Sequence, residues 1–260
     1  MADSDSHIVI VGNLHSHPSS AAFLEKFIKL MSRVAHDIVF VGNESAVDIP
    51  VTMDWIKTDF RSSARETLLV RAIHFAKNQI EVLRIVMPLV RRNRHSKIIF
   101  LTPLPITMVL ARIIGVKTIL YQGGAIAISN PLLRTFMIWV TAIGVNQIVI
   151  ESEASRGFQN LVPFGRKVVV SPIYVDTNLF SITKPLRERQ NIMGFAGVFD
   201  ANKGVEEFCH ALAKVRSQLE TRNVKVILAG RGPLRSTIER VIDTEGMAAI
   251  VEIREWIPHH

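Results

Sequence analysis

The chain has 260 residues, a single cysteine, a hydrophobic share of 48% and a formal net charge of +8. This excludes a disulfide-stapled scaffold and a disordered chain, and it admits one large domain or two modest ones. The basic excess points to an anionic partner, whether nucleic acid, nucleotide or membrane surface, without choosing among them.

Residues Met1–Ser6 are acidic and polar and do not read as a signal peptide. Cys209 fits a reducing compartment and reads as a small buried residue. His7–Val11 reads as a buried parallel strand closed by Gly12 and Asn13. Ser19 or Ser20 is expected to cap a helix with Phe23, Phe27, Leu30 and Met31 on one face. Asp37–Val41, again followed by Gly-Asn, reads as a second strand, so both strands end in turns suited to special backbone angles. The first turn is not G-x-G-x-x-G and defines no dinucleotide site. His15 and His17 in that loop read as solvated, and two histidines alone make no zinc site.

Thr52–Thr58 is expected as a third strand, and Arg61–Arg94 as a long helical region with a candidate break at Pro88. Its end carries Arg91, Arg92, Arg94 and Lys97. Two readings of that cluster stand: a solvated helix end, and a cationic membrane-surface patch beside Leu83, Ile85, Val86 and Leu89. Strands are expected at Lys97–Leu101, Lys117–Tyr121, Gln147–Ile150 and Lys167–Val170, with helices over Thr107–Ile114 and Pro131–Val145 and a helix capped by the Glu151–Ser155 stretch. The longest apolar stretches, Ile98–Ala111 and Thr135–Val145, fall short of the roughly 20 residues a membrane span needs and are expected to be buried. Gln122-Gly123-Gly124 ends one strand, where close backbone approach to a ligand and a tight strand-to-helix turn are both open readings. Arg187–Gln190 reads as an exposed charged linker, which places an N-terminal domain at 1–183 and a C-terminal domain at 191–260.

The most informative stretch is Asn191–Pro233. It reads as an apolar strand, the turn Gly197–Gly204, a helix over Val205–Thr221, a second strand at Val224–Ala229 and the turn Gly230-Arg231-Gly232-Pro233. Val205, Phe208, Leu212, Val215 and Leu219 fall on one helical face. Strands alternating with helices of this length imply a parallel sheet, whose ligands sit outside the carboxyl ends of the strands, where both glycine turns lie.

The order strand, G-x-x-x-x-x-K-G, helix, strand, G-x-G-P-L resembles the second domain of retaining GT-B glycosyltransferases, group 1 or family 4. Val175-Asp176-Thr177-Asn178-Leu179-Phe180 is similar to the V-D-x-x-x-F segment of that family, and Ser152, Glu153 and Arg156 to its S-E-x-x-R segment. Glu255-Trp256-Ile257-Pro258-His259 resembles its G-W-[IV]-P-H. The resemblance is specific from about Gln147 onward and topological before that. It implies an α/β chain of two Rossmann-like parallel-sheet domains with a nucleotide diphosphate sugar as donor. Gly197, Lys203 and Gly204 then contact the donor diphosphate, and Gly230, Arg231, Gly232 and Pro233 the nucleotide. Gly12, Asn13, Gln122, Gly123 and Gly124 lie in acceptor-side loops.

The implied partners are a UDP- or GDP-sugar and a glycan or lipid-linked acceptor, with peripheral contact to an anionic membrane and a cytoplasmic location. No cofactor and no metal are implied. The sequence assigns no catalytic residue. Val198 stands where the family has an arginine, and Tyr121 and Gln122 where it often has a histidine. The family continues past the W-I-P-H segment to an acidic E-x7-E motif, so the second domain is expected to be incomplete and the chain to turn over little by itself. A non-catalytic relative acting as a binding or partner subunit is the alternative, and a sugar-nucleotide epimerase on the same fold has nothing positive in its favour. Two tyrosines and three tryptophans, without aromatic–basic interleaving, argue against nucleic acid.

Overall fold

A computed structural model of the chain describes residues 7–12, 18–43, 53–58, 67–93, 95–123, 130–172, 177, 182 and 184–255. Two compact units divide it, Met1–Tyr174 and Val175–His260. In the first, strands β1 (His7–Gly12), β2 (Asp37–Gly42), β3 (Asp54–Lys57), β4 (Lys97–Phe100), β5 (Lys117–Gln122), β6 (Gln147–Ile150) and β7 (Val168–Val170) form a parallel sheet. Their order is β3-β2-β1-β4-β5-β6-β7, so the winding reverses between β1 and β4. Ligand crevices of open α/β sheets form at the carboxyl side of such a reversal.

Side chains alternate across the sheet with the period of two that a strand imposes. Val9 and Val11 of β1 join one core with Val82, Val86 and Val90 of α2 (Leu68–Arg92), Met108 of α3 (Pro105–Ile113) and Ala142 of α4 (Pro131–Gly144). Ile8 and Ile10 face the other way, onto Leu24 and Ile28 of α1 (Pro18–Met31). Three helices thus cover one face and α1 covers part of the other. A short α5 (Glu153–Phe158) follows β6, its N-cap Ser152 accepting from the Ser155 amide at 3.4 Å and Arg156 pairing with Glu153 at 3.1 Å.

The second unit runs β8 (Ile192–Ala196), α6 (Val205–Lys214), α7 (Arg216–Thr221), β9 (Lys225–Ala229), α8 (Arg235–Thr244) and β10 (Val251–Arg254). Its strands are parallel in the order β10-β9-β8. Phe199, Cys209, Leu212, Val226, Leu228 and Ile238 form its core. Cys209 is fully buried, and burial, followed by nearby Glu206, pushes its thiol pKa up. The native thiol should therefore react with a disulfide reagent roughly a hundredfold or more slowly than the same thiol in denaturant. Equal rates in a stopped-flow comparison would show that Cys209 is accessible.

Several elements differ from expectation. Helix α1 begins at Pro18, so Ser19 and Ser20 lie inside its first turn; proline suits the first helical position because its missing N–H costs no bond there. Helix α2 starts at Leu68, capped by Thr67, and runs through the exposed Pro88 to Arg92 without a break. The expected single helix over Val205–Thr221 is two, parted at Val215 (φ −113°, ψ 13°), and Val215 is exposed while Leu219 stays in the core. The apolar partners proposed for the arginine cluster point inward: Val86 is fully buried, and Ile85 and Leu89 pack against the same core. Helix α4 is buried on one face only; Leu132, Phe136 and Trp139 are exposed, because only one face of a helix laid on a sheet can meet it. Among the described residues no helix is long and apolar enough to cross a membrane.

Candidate functional site

The two glycine turns of the second unit meet backbone to backbone. Gly197 N–H donates to the Ala229 carbonyl at 2.9 Å, which extends the β8–β9 ladder into the turns. Phe199 N–H then donates to the Arg231 carbonyl at 3.0 Å, and Leu234 N–H donates to the Phe199 carbonyl at 3.0 Å. A Cβ on Gly230 would stand 1.9 Å from the Gly197 carbonyl oxygen, and one on Gly232 2.4 Å from that of Phe199. Both glycines are thus required by close approach, whatever their backbone angles.

This contact brings the predicted donor residues to one place, at the carboxyl ends of β8 and β9. Asp200 accepts from the Asn202 amide at 2.8 Å and shapes the turn before Lys203. Gly204 adopts φ +67° and serves as the N-cap of α6 without a side-chain cap. Its φ lies in the left-handed region, which glycine enters at little cost. Helix α8 likewise starts without a side-chain cap, after Pro233 and Leu234. Lys203 and Arg231 are exposed on the two turns. Two cations and two helix N-termini without side-chain caps follow neighbouring strand ends, and such groups can receive an anion because the first amides of a helix lack internal partners. Glu206 and Glu207 in the first turn of α6 oppose an anion there, whereas α8 has no acid in its first turn.

In the first unit, Gly12 is buried at the end of β1 with Leu101 3.1 Å from where its Cβ would be. Gln122 is buried at the end of β5, and its Nε2 has no hydrogen-bond partner among the described residues. A buried donor left unpaired costs on the order of 1–3 kcal/mol, which makes it a candidate to meet a ligand oxygen. Gly123 is exposed beside Glu151, whose Oε1 would lie 3.1 Å from an added Cβ. Asn13, His15, His17, Gly124, Val175, Asp176, Asn178–Phe180 and Trp256–His259 lie outside the described residues.

The contact of Tyr121 with Glu151 and the burial of Phe199 had no clear sequence signal. Tyr121 donates to Glu151 Oε1 at 3.4 Å; burial, then the Glu151 carboxylate, pushes the phenol up to about 12. Tyr121 also meets Phe23 and Phe27, with ring centroids 5.4 and 5.5 Å away, at a cavity of about 350 Å³ that Ile119, Val149 and Val169 line further. Phe199 is fully buried between the turns. A large aromatic residue two positions past Gly197, inside a glycine-bounded turn, was the available hint.

No protein-family model matches the chain, and no curated protein matches it in sequence. Solved structures do match in fold. HepE of Anabaena, crystallised with UDP and glucose, superposes with a TM-score of 0.64 at 15% identity, over 97% of this chain and 70% of that one. A glycosyltransferase from Rickettsia africae gives 0.65 at 13%, over 99% and 69%. Sucrose-phosphate synthase from Thermosynechococcus elongatus gives 0.65 at 13%, over 97% and 71%. The chain therefore has the GT-B glycosyltransferase fold, as the resemblance of its motifs implied.

Proposed function

We propose that the protein belongs to the retaining, group 1 type of GT-B glycosyltransferase and moves a sugar from a nucleotide diphosphate sugar to an acceptor hydroxyl. The observation that carries this reading is the packed pair of glycine turns, which sets Lys203, Arg231 and two uncapped helix N-termini at adjoining strand ends. The diphosphate leaving group gains negative charge as its bond to the sugar breaks. Cations and amide N–H groups held beside it would lower the barrier with little reorganisation. No metal is needed when side chains and helix ends carry that charge. The co-crystallised UDP of the Anabaena neighbour favours UDP as the nucleotide. The acceptor is a glycan or lipid-linked hydroxyl, met at the cytoplasmic face of a membrane and approached through the loops at Gly12, Gln122 and Gly123. Val198 and Gln122 favour the second reading, a non-catalytic relative acting as a binding or partner subunit.

Thermal stabilisation by UDP, GDP, ADP and their sugar conjugates tests the donor site. A ligand that binds only the folded state stabilises by about 2.7 kcal/mol at a hundred times its Kd. One nucleotide should raise the Tm of the protein, and Lys203→Ala or Arg231→Ala should each weaken its binding by roughly ten- to a hundredfold, the worth of one charged hydrogen bond. A Tm unmoved by every nucleotide would sink the proposal. Stabilisation without sugar transfer to any acceptor would favour the non-catalytic relative.

A further inference from the structure

The described helical layer of the first unit carries an apolar surface that the transferase reading does not use. On α4, Leu132, Phe136, Trp139 and Ile143 are spaced four, three and four residues apart, a helical stripe, and all four are exposed, as is Leu133. The opposite face of the helix, with Ile138, Thr141 and Ala142, is buried. On α3, Ile106, Leu110 and Ile113 repeat the pattern, exposed above the buried Thr107, Met108 and Ala111. Leu132 is 81% exposed and Ile113 73%, more than scattered surface leucines and isoleucines explain when each sits in a helical row on adjoining helices.

The two helices are held side by side. Gly144 allows the approach, since a Cβ there would stand 2.8 Å from Cβ of Met108. Arg112 of α3 donates to the carbonyls of Ile143 and Val145, and Lys167 donates to those of Ala142 and Val145 at 2.8 and 3.2 Å. The last carbonyls of α4 are thus satisfied by cations from α3 and from the turn before β7.

Charge distribution says what covers this surface. Residues 82–150 contain eight Lys and Arg and no Asp or Glu, and they account for the whole formal charge of +8. The rest of the chain carries 23 of each sign. That acid-free run supplies the second half of α2, all of α3 and all of α4, the three helices on one face of the sheet. Arg84, Arg91, Arg92 and Lys117 of this run are exposed. A protein partner usually meets a rim of mixed polar groups. An apolar stripe with an amphipathic tryptophan, on helices drawn from a stretch with eight cations and no acid, suits an anionic bilayer instead.

We propose that the outer face of α3 and α4 is the surface by which the protein lies on an anionic lipid bilayer, with Leu132, Phe136, Trp139 and Ile113 immersed in the headgroup boundary. This deepens the reading of a membrane-side acceptor, yet its test involves no sugar transfer, so the two can fail separately. The test is flotation of the whole protein with vesicles of phosphatidylcholine, with and without phosphatidylglycerol. The protein should float with the anionic vesicles and lose binding as salt rises. Brominated lipid should quench its fluorescence, and that quenching should disappear in Trp139→Phe.

Leu132→Asn with Phe136→Asn should lower partitioning at least about tenfold, since each replaces an apolar side chain that the bilayer would bury with a polar amide. Ile113→Asn on the neighbouring helix should also lower it. All three positions are exposed, so melting curves of the variants should match wild type. Undiminished flotation of the variants, or none by wild type at low salt, overturns the proposal. So does a wild-type dimer in sedimentation that these variants dissociate, which would make the face a contact between copies.

Discussion

Gly232→Ala destabilises the second unit by about 3 kcal/mol, at the upper end of what overpacking costs. The added Cβ would meet Phe199 O at 2.4 Å and its C and N at 2.8 Å. All three are backbone atoms, so no rotamer change relieves the clash; the turn at 197–200 must move. For a unit of this size the loss lowers Tm on the order of 15 °C. It also removes stabilisation by nucleotide, because the displaced turn carries Lys203. Gly194→Ala is the control. Nothing lies within 4 Å of its added Cβ, so the change should be within about 1 kcal/mol of wild type and of either sign. Calorimetry of the two variants decides the matter: equal melting temperatures would mean that the turns do not pack as described.

Phe199→Ala acts on the other side of the same contact and costs about 4 kcal/mol. Phe199 is fully buried, with its ring 6.4 Å from that of Phe195, and its N–H and C=O bond Arg231 and Leu234. Truncation leaves a void beneath both glycine turns without removing any group proposed to touch the donor. Phe199→Leu, which keeps most of the volume, should cost nearer 1 kcal/mol and preserve the nucleotide response. If Phe199→Ala melts like wild type in denaturant titrations, the residue does not anchor the turns.

The alternation of short apolar strands with amphipathic helices was legible because both periodicities are written in single residues. His7–Gly12, Asp37–Gly42 and Lys225–Ala229 fall within a residue of where hydrophobic runs and glycines placed them. The glycine turns were legible as turns for the same local reason. Strand order was not, since pairing β1 with both β2 and β4 joins residues about 30 and 90 positions apart and depends on packing that no window sees. Thr135–Val145 shows the limit most clearly: its hydrophobicity implied burial, yet Phe136, Trp139 and Ile143 are exposed.

By itself the sequence determined a parallel α/β chain, its two glycine turns and the concentration of net charge within residues 82–150. Only the tertiary structure decided that Gly230 and Gly232 press on the backbone of Gly197 and Phe199. It alone left Nε2 of Gln122 without a partner among the described residues and turned the apolar rows of α3 and α4 outward. The physical reason is common to all three. Residue type and spacing fix what a segment can bury or bind, whereas which neighbour occupies each face depends on contacts between segments far apart in the chain.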